Sequence, residues 1–175
     1  NIVDLDACRR QGVVVSNIRG YAGHTVPEHA IALLLALSRN LIAWRESVRA
    51  GRWQRSGQFC LFDHPIRDLH GATLGLIGSG SLGNGVARLA GAFGMRVLRA
   101  ERKGAPLTRP GYSEFEQVIC AADAISLHCP LTPRTLGLIG EAELRAMKPS
   151  ALLINTARGG LVDEAALIRA LREGW

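Results

Sequence analysis

Three glycines and one acidic residue stand at positions that could hold a dinucleotide. A short apolar run, Leu74 to Ile77, leads into Gly78-Ser79-Gly80-Ser81-Leu82-Gly83, and an amphipathic stretch, a second apolar run and Glu101 follow. In this pattern the first glycine permits a tight turn, the second admits a pyrophosphate and the third lets helix and strand pack closely. We therefore predict that Gly78, Gly80 and Gly83 cradle phosphates at a helix N-terminus, and that Glu101 accepts hydrogen bonds from an adenosine ribose. The alternative is a glycine-rich turn in another kind of α/β domain.

Arg158 is the second candidate for chemistry. It lies in the run Thr156-Ala157-Arg158-Gly159-Gly160, directly after an apolar segment. An arginine beyond a buried strand, with two glycines that let the backbone turn sharply, can grip a carboxylate through two parallel hydrogen bonds. The alternative is a structural arginine that pairs with Asp163 or with a helix C-terminus.

A third segment, His128-Cys129-Pro130-Leu131-Thr132-Pro133, also follows an apolar run. Pro130 and Pro133 stiffen it, so it can wall a pocket for a planar ring. In an open parallel sheet, ligands bind where the strands end at their carboxyl edge. We therefore expect the three segments to meet at one edge of a sheet.

The elements that must position these segments alternate along the chain from Ala72 onward. Four strands are predicted: Thr73–Ile77, Arg96–Ala100, Ala124–Leu127 and Ala151–Asn155. Four helices are predicted: Ser81–Phe93, Tyr112–Ala121, Gly140–Met147 and Glu164–Arg172. This alternation predicts an α/β fold, a Rossmann-like doubly wound parallel sheet with helices on both faces. Val13–Asn17 is expected to form a further strand.

The segment before residue 71 predicts one long helix and an irregular arm. Thr25 can cap a helix with Glu28 completing a capping box, and apolar spacing continues until Gly51 ends the helix near Ala50. Residues 51–70 carry aromatic side chains without periodicity. This arm is expected either to pack on another subunit or to fold back on its own domain.

Composition limits the classes of function. The chain has 175 residues and 47% hydrophobic content, which fits one globular domain. Its longest apolar run, Ala30–Leu37, is far too short to span a bilayer, so no membrane partner is expected. The four cysteines are widely spaced, which predicts no metal site and a reducing, cytoplasmic setting. Since the chain starts without Met or a signal peptide, we expect a partial chain.

The net charge of +6 raises the question of nucleic-acid binding. Much of the excess lies in Arg45, Arg49, Arg52 and Arg55. With only 5% aromatic residues and no nucleic-acid motif, these arginines indicate a solvated or interface surface, and no nucleic-acid partner is expected.

Taken together, these motifs resemble the D-2-hydroxyacid dehydrogenases, across essentially the whole chain. The most specific marks are Gly78–Gly83 with Glu101, the run Ser126 to Thr132, and LINTARGGLVDE from Leu153 to Glu164. Segments such as Asn17–Ala22 and Gly51–Gln54 are most similar to the glycerate dehydrogenase, or hydroxypyruvate reductase, branch.

The resemblance implies a two-domain homodimeric enzyme whose nucleotide domain is inserted into a substrate domain. Residues 1–24 would then end the substrate domain and its crossover, and residues 25–175 would form a C-terminally truncated NAD-binding domain. Within it, 25–50 would be an interdomain and dimer helix, 51–70 a dimerisation arm and 71–175 the dinucleotide fold. By position, the pyrophosphate would meet Ser81 and Leu82. The nicotinamide side would be bordered by Cys129, Pro130, Thr135, Thr156 and Ala157.

The resemblance also implies hydride transfer between nicotinamide and a small 2-oxo or 2-hydroxy acid. Arg158 matches the family's catalytic arginine, which holds the carboxylate and polarises the carbonyl. The family's general acid is a His oriented by a Glu, and both come later in the chain than Arg158, so these 175 residues alone are expected to be inactive. Glu101 favours NAD, whereas Arg102 and Lys103, which follow it, could attract the 2′-phosphate of NADP.

Several other functions remain open at this point. Phosphoglycerate, formate and phosphite dehydrogenases share the cofactor site and the arginine, and the same fold serves as an NAD(H)-sensing corepressor. A non-functional gene fragment is a third possibility.

Overall fold

The computed structural model describes residues 3–18 and 20–175, and its centre is a four-stranded parallel sheet. The strands are β1 (Thr73–Ile77), β2 (Arg96–Arg99), β3 (Ala124–Leu127) and β4 (Leu152–Asn155). The helices are α1 (Leu5–Arg10), α2 (Thr25–Ser38), α3 (Leu41–Arg49), α4 (Arg52–Ser56), α5 (Ser81–Ala92), α6 (Phe115–Ala121), α7 (Glu141–Ala146) and α8 (Glu164–Glu173). A short 3₁₀ turn, Gly159–Leu161, lies between β4 and α8. The prediction of a doubly wound α/β sheet is confirmed, and all four strands agree with their predicted bounds to within one residue.

The strand order is β2-β1-β3-β4, so β1 lies inside the sheet. Its residues alternate between two apolar cores, since Leu74 and Leu76 face α2 and α5 while Ile77 faces the layer of α6, α7 and α8. All five residues of β1 are buried, as expected for a parallel strand covered on both faces. The two cores hold the carboxyl ends of β1, β3 and β4 side by side.

The predicted long helix over residues 25–50 is wrong as a single element. It divides at Arg39 and Asn40 into α2 and α3, which are bent by 56° relative to each other. Asn40 takes a left-handed conformation, with φ of 50°, and its Nδ2 donates to the carbonyl of Pro65 at 2.5 Å. The prediction treated Leu41 and Ile42 as part of the buried apolar face because they keep helical spacing. In the structure both side chains are exposed.

The predicted capping box at Thr25 is also wrong. Thr25 is the first helical residue of α2, the residue before it is His24 in a helical conformation, and no side chain caps the helix. Backbone carbonyls of the preceding turn accept from the first amides of α2 instead. The carbonyl of Ala22 accepts from Val26 N, and that of His24 accepts from Glu28 N. The turn therefore runs directly into the helix.

The predicted strand Val13–Asn17 does not form. These residues lie outside any sheet in the described chain, and Val14 is 92% exposed. A strand needs a neighbour for its backbone groups, and none of the described residues provides one here. The unpredicted helix α1 precedes this segment and is capped by Asp4, whose carboxylate accepts from Asp6 N and Ala7 N.

The arm, residues 51–70, is mostly irregular but begins with the short helix α4, which was not predicted. Its ends are held by an ion pair between Arg52 and Asp63 and by the buried Leu69. Between them, Phe59 is 95% and Phe62 is 85% exposed. The aromatic tips of the arm therefore do not fold back on the described chain.

Within residues 3–18 and 20–175, no single helix has the length and apolar character needed to cross a membrane. The pair α2 and α3 meets those criteria only jointly, with its 56° bend, and by length and composition alone.

Candidate active site

The three predicted loops do meet at the carboxyl edge of the sheet. The amide of His128, after β3, donates to the carbonyl of Ile77 at the end of β1 at 2.7 Å. The loop after β4 lies against the loop after β3, because a side chain at Gly160 would contact Leu131 at 3.2 Å. The sheet thus brings together segments separated by up to eighty residues of sequence.

Close packing fixes the glycine-rich turn after β1. Gly78 has a φ of +98°, and a Cβ there would lie 2.6 Å from the carbonyl carbon of His128. A Cβ on Gly83 would overlap the carbonyl oxygen of Gly78. These two glycines are required by the fold itself, as the motif predicts.

Gly80 is different, because a Cβ on it would meet no atom of the described residues within 4 Å, apart from its two chain neighbours. It precedes α5, whose N-terminus has no side-chain cap and no acidic residue in its first turn. The first helical hydrogen bond is made by Asn84 N to Gly80 O, so the N–H groups of Ser81 and Leu82 point out of the helix end without an intrahelical acceptor. This open, positively polarised end of a twelve-residue helix can receive a phosphate.

Asn84 is a residue that the sequence reasoning missed. Its Nδ2 donates to the carbonyl of Ser79 at 3.1 Å and so ties the glycine-rich turn to the first turn of α5. The hydroxyl of Ser79 is buried in this turn without a hydrogen-bond partner in the described chain. The sequence signal that could have identified it is an asparagine in the first turn of the helix after the glycine-rich segment, where its amide can reach a backbone carbonyl.

Glu101 lies at the carboxyl end of β2, where the motif places a ribose-binding acid, but its carboxylate is already engaged. Arg109 donates through Nε to Oε2 at 2.5 Å and through Nη2 to Oε1 at 2.8 Å. The amides of Arg102 and Arg109 donate to the same carboxylate at 2.8 and 3.2 Å. The sequence reasoning missed Arg109, which lies eight residues along an irregular loop. Binding of the ribose by Glu101 stays a prediction.

These donors keep Glu101 ionised. The Arg109 side chain, followed by the amide of Arg102, lowers the pKa of Glu101 to about 2. Of the two cations that follow Glu101, Lys103 is held by Glu143 at 2.6 Å and lies over the ring of Phe115. Lys103 therefore already has an anionic partner.

The loop after β3 is braced by its own hydrogen bonds. The hydroxyl of Thr135 donates to the carbonyl of Pro130 at 2.6 Å and accepts from the amide of Thr132 at 2.8 Å. Cys129 is half-buried, and burial raises the pKa of its thiol. Thr135 and Pro130 thus form one wall at the edge of β3, and Cys129 adds a neutral thiol to it.

His128 begins this loop, and its imidazole is neutral. Burial lowers the pKa of His128 to about 4, and its Nε2 lies 2.8 Å from the hydroxyl of the buried Ser126. The ring is therefore fixed against the sheet and is unprotonated near neutral pH, which makes it a poor proton donor.

Asn155, at the end of β4, shapes the loop that carries Arg158. Its Nδ2 donates to the carbonyl of Arg158 at 2.9 Å, and its Oδ1 accepts from the amide of Ala157 at 3.1 Å. The hydroxyl of Thr156 is buried without a partner among the described residues. Asn155 was not predicted as a site residue, although an Asn that ends a strand is a common turn former.

The Arg158 side chain is exposed, and its Nη1 donates only to the carbonyl of Ala157, at 2.8 Å. Asp163 is not its partner, because that carboxylate caps α8 by accepting from Ala166 N at 3.0 Å. Within residues 3–18 and 20–175, no carboxylate forms an ion pair with Arg158. The predicted alternative, a pairing with Asp163, is therefore wrong, and the guanidinium is available to an external anion.

Among the described residues, an uncapped helix end, a braced wall and an arginine without an ion-pair partner thus lie along one sheet edge. Comparison with known proteins agrees with this combination. Residues 31–175 match the family model described as "D-isomer specific 2-hydroxyacid dehydrogenase, NAD binding domain". The chain is 49% identical over 174 residues to a glycerate dehydrogenase of Methylorubrum extorquens, covering 99% of this chain and 54% of the relative. It is 39% identical over 181 residues to a glyoxylate reductase of Thermococcus litoralis, with coverage of 99% and 54%.

Solved structures give the same result. A D-lactate dehydrogenase from Aquifex aeolicus, complexed with NAD and lactic acid, superposes with a TM-score of 0.81 at 34% identity, covering 98% of this chain and 51% of that one. The chain therefore spans about half the length of the curated relatives it matches. It belongs to the D-isomer specific 2-hydroxyacid dehydrogenase family and carries that family's NAD-binding domain.

Proposed function

We propose that the full-length protein is a dehydrogenase that interconverts a small 2-hydroxy acid and its 2-oxo acid with NAD, and that D-glycerate and hydroxypyruvate are its substrate pair. The observation that carries the proposal is the placement of an uncapped helix N-terminus and an unpaired arginine on one edge of one sheet. A dinucleotide needs the first and a carboxylate substrate needs the second.

Three features of the described chain fit NAD. The space above Gly80 is open, the start of α5 carries no negative charge, and the hydroxyls of Ser79 and Thr156 are buried without partners in the loops that border the site. The pyrophosphate would be held by Gly78, Gly80, Ser81, Leu82 and Gly83. The nicotinamide side would be bordered by Cys129, Pro130, Thr135, Thr156 and Ala157.

When bound, NAD supplies or accepts the hydride at its nicotinamide ring. Arg158 would bind the substrate carboxylate through two parallel hydrogen bonds, which fixes the carbonyl carbon in the orientation that transfer requires. Its charge also stabilises the negative charge that develops on the carbonyl oxygen during reduction. Asn155 would hold the loop so that Arg158 keeps this position.

The proton must come from another group. His128 lacks the proton near pH 7, and the thiol of Cys129, whose pKa is raised by burial, is too weak an acid to be an efficient donor. We assign the proton to the His and Glu pair that the family resemblance places after Arg158 in the chain.

The proposed substrate rests on the relatives rather than on pocket chemistry. The 49% identity to the glycerate dehydrogenase of Methylorubrum extorquens supports D-glycerate and hydroxypyruvate as the substrate pair of this protein. The glyoxylate reductase of Thermococcus litoralis, at 39% identity, makes glyoxylate the second candidate. The NAD(H)-sensing corepressor and the phosphoglycerate, formate and phosphite dehydrogenases remain less favoured alternatives. All four cysteines are free thiols, in keeping with a proposed reducing, cytoplasmic location.

Initial rates of NADH oxidation by the full-length protein test the proposal, with hydroxypyruvate, glyoxylate and pyruvate compared at equal concentrations. Arg158→Gln should lower kcat/KM for hydroxypyruvate roughly 10³-fold, because removing one partner of a charged, hydrogen-bonded pair costs about 2–5 kcal/mol. Arg169→Gln is the matched control, since Arg169 pairs with Glu141 outside the site. Wild-type protein that binds NADH but reduces none of these acids would favour the corepressor alternative and overturn the proposed reaction.

A further inference from the structure

We infer that Arg109 controls the choice between NAD(H) and NADP(H), by occupying Glu101 and presenting a guanidinium to the adenosine ribose in place of a free carboxylate. The inference rests on the proposed function, because it takes the carboxyl end of β2 as the ribose end of the dinucleotide site. Arg109 belongs to none of the glycine, acid or arginine motifs described above.

Glu101 offers a limited number of hydrogen-bond acceptor sites. Each carboxylate oxygen can accept about two hydrogen bonds. Oε1 accepts from Arg102 N and Arg109 Nη2, and Oε2 accepts from Arg109 N and Arg109 Nε. All four positions are filled, so no acceptor remains for the two ribose hydroxyls unless Arg109 moves away.

Arg109 is also far more exposed than Glu101. In this pair the side chain of Glu101 is 5% exposed, whereas that of Arg109 is 52% exposed. The guanidinium also lies over the ring of Tyr112, with Cζ 4.0 Å from the ring centroid. The guanidinium is therefore the more accessible of the two charged groups, and its contacts with Glu101 and Tyr112 fix it in place.

The balance of charge around Glu101 also differs from that around a free acid. A free acid at this position repels a 2′-phosphate and accepts the 2′-hydroxyl of NAD. Here Arg109 neutralises Glu101, Lys103 is paired with Glu143, and Arg102 adds one exposed positive charge. Glu114 and Glu116, which line the groove beside Glu101 and Arg102, add two exposed negative charges, and water and salt screen these charges and that of Arg102 alike. The site lacks the feature that normally excludes NADP(H).

The test compares the dissociation constants of NADH and NADPH for the full-length protein, measured by calorimetry. We expect the wild type to bind both, with constants within about tenfold of each other. Arg109→Met frees Glu101, and it should strengthen NADH binding, weaken NADPH binding and shift the ratio of the two constants at least tenfold toward NADH. Arg109→Lys keeps the charge without the two parallel hydrogen bonds, so it should shift the ratio in the same direction by less.

Arg145→Met is the matched control. Arg145 likewise stacks on an aromatic ring, with Cζ 3.6 Å from the centroid of Trp175, and its Nε lies 2.9 Å from Oε1 of Glu141. It lies outside the proposed dinucleotide site. Its cofactor ratio should equal that of the wild type. An unchanged ratio in both Arg109 variants, or a shift toward NADPH, would overturn the inference while leaving the proposed function intact. A wild type that binds neither cofactor would overturn both. Should Arg109→Met fail to fold, the ratio measured for Arg109→Lys decides.

Discussion

The backbone of Gly83 lies so close to that of Gly78 that a side-chain carbon on Gly83 would overlap the carbonyl oxygen of Gly78. Gly80, between them, faces open space. One motif therefore contains two glycines that the fold requires and one, Gly80, that the fold leaves open for the proposed pyrophosphate, and substitution can separate the two roles.

Gly83→Ala should destabilise the protein by about 1–3 kcal/mol, the usual cost of forcing an extra methyl into a packed site. Gly80 has a φ of −74° and room for a methyl group, so Gly80→Ala should keep the wild-type melting temperature. The added methyl would fill the space proposed for the pyrophosphate, so the variant should lose most of its NADH affinity. Thermal melts and NADH titrations of the two variants check this. Loss of stability without loss of binding in Gly80→Ala would contradict the assignment of Gly80 to the pyrophosphate.

The sequence predicts those elements that depend on neighbouring residues, and it does not predict those that depend on contacts between distant residues. β1 and β3 have the predicted bounds, because buried apolar runs between glycines and polar turns leave few alternatives. The break at Asn40 was missed because a left-handed asparagine leaves no periodic signal, and its Nδ2 contact to Pro65 spans twenty-five residues. The partner of Glu101 was missed for a related reason, since no pattern specifies which residue of an irregular loop returns to a strand end.

The candidate site shows the same division. The positions of Gly78 and Arg158 follow from motif and strand order, and the structure brings their loops to one edge. The contacts that Asn84 and Asn155 make with backbone carbonyls depend on exact loop geometry, which only the folded chain supplies. Motifs therefore predict which residues can bind, and the structure adds the residues that hold them in place.

His128 should make the protein less stable in mild acid. Its folded pKa of about 4 lies below the ordinary value of 6.5, so the unfolded chain binds the proton more readily than the native one. The contribution of neutral His128 is complete above pH 6.5 and is lost as the pH falls toward 4, by up to about 3 kcal/mol at 1.4 kcal/mol per pKa unit.

Urea unfolding at pH 7, 6, 5 and 4 measures this loss, and an NMR titration of the ring measures its pKa directly. His128→Gln should reduce the pH dependence of unfolding between 6.5 and 4, whereas His29→Gln, at an exposed position on α2, should leave it unchanged. A ring that titrates above pH 6 in the folded protein would contradict this prediction.

The aromatic tips of the arm, Phe59 and Phe62, should mediate self-association of the full-length protein. Burying each ring stabilises a dimer by about 1.5–3 kcal/mol, and both are almost wholly exposed in the isolated chain. The double variant Phe59→Ser with Phe62→Ser should therefore sediment as a monomer at concentrations at which the wild type is a dimer. Leu107→Ser removes an equally prominent apolar side chain, 82% exposed, from a loop elsewhere on the surface, and it should leave the dimer intact. A wild type that is monomeric at micromolar concentrations, or a double variant that remains a dimer, would show that the arm has another partner.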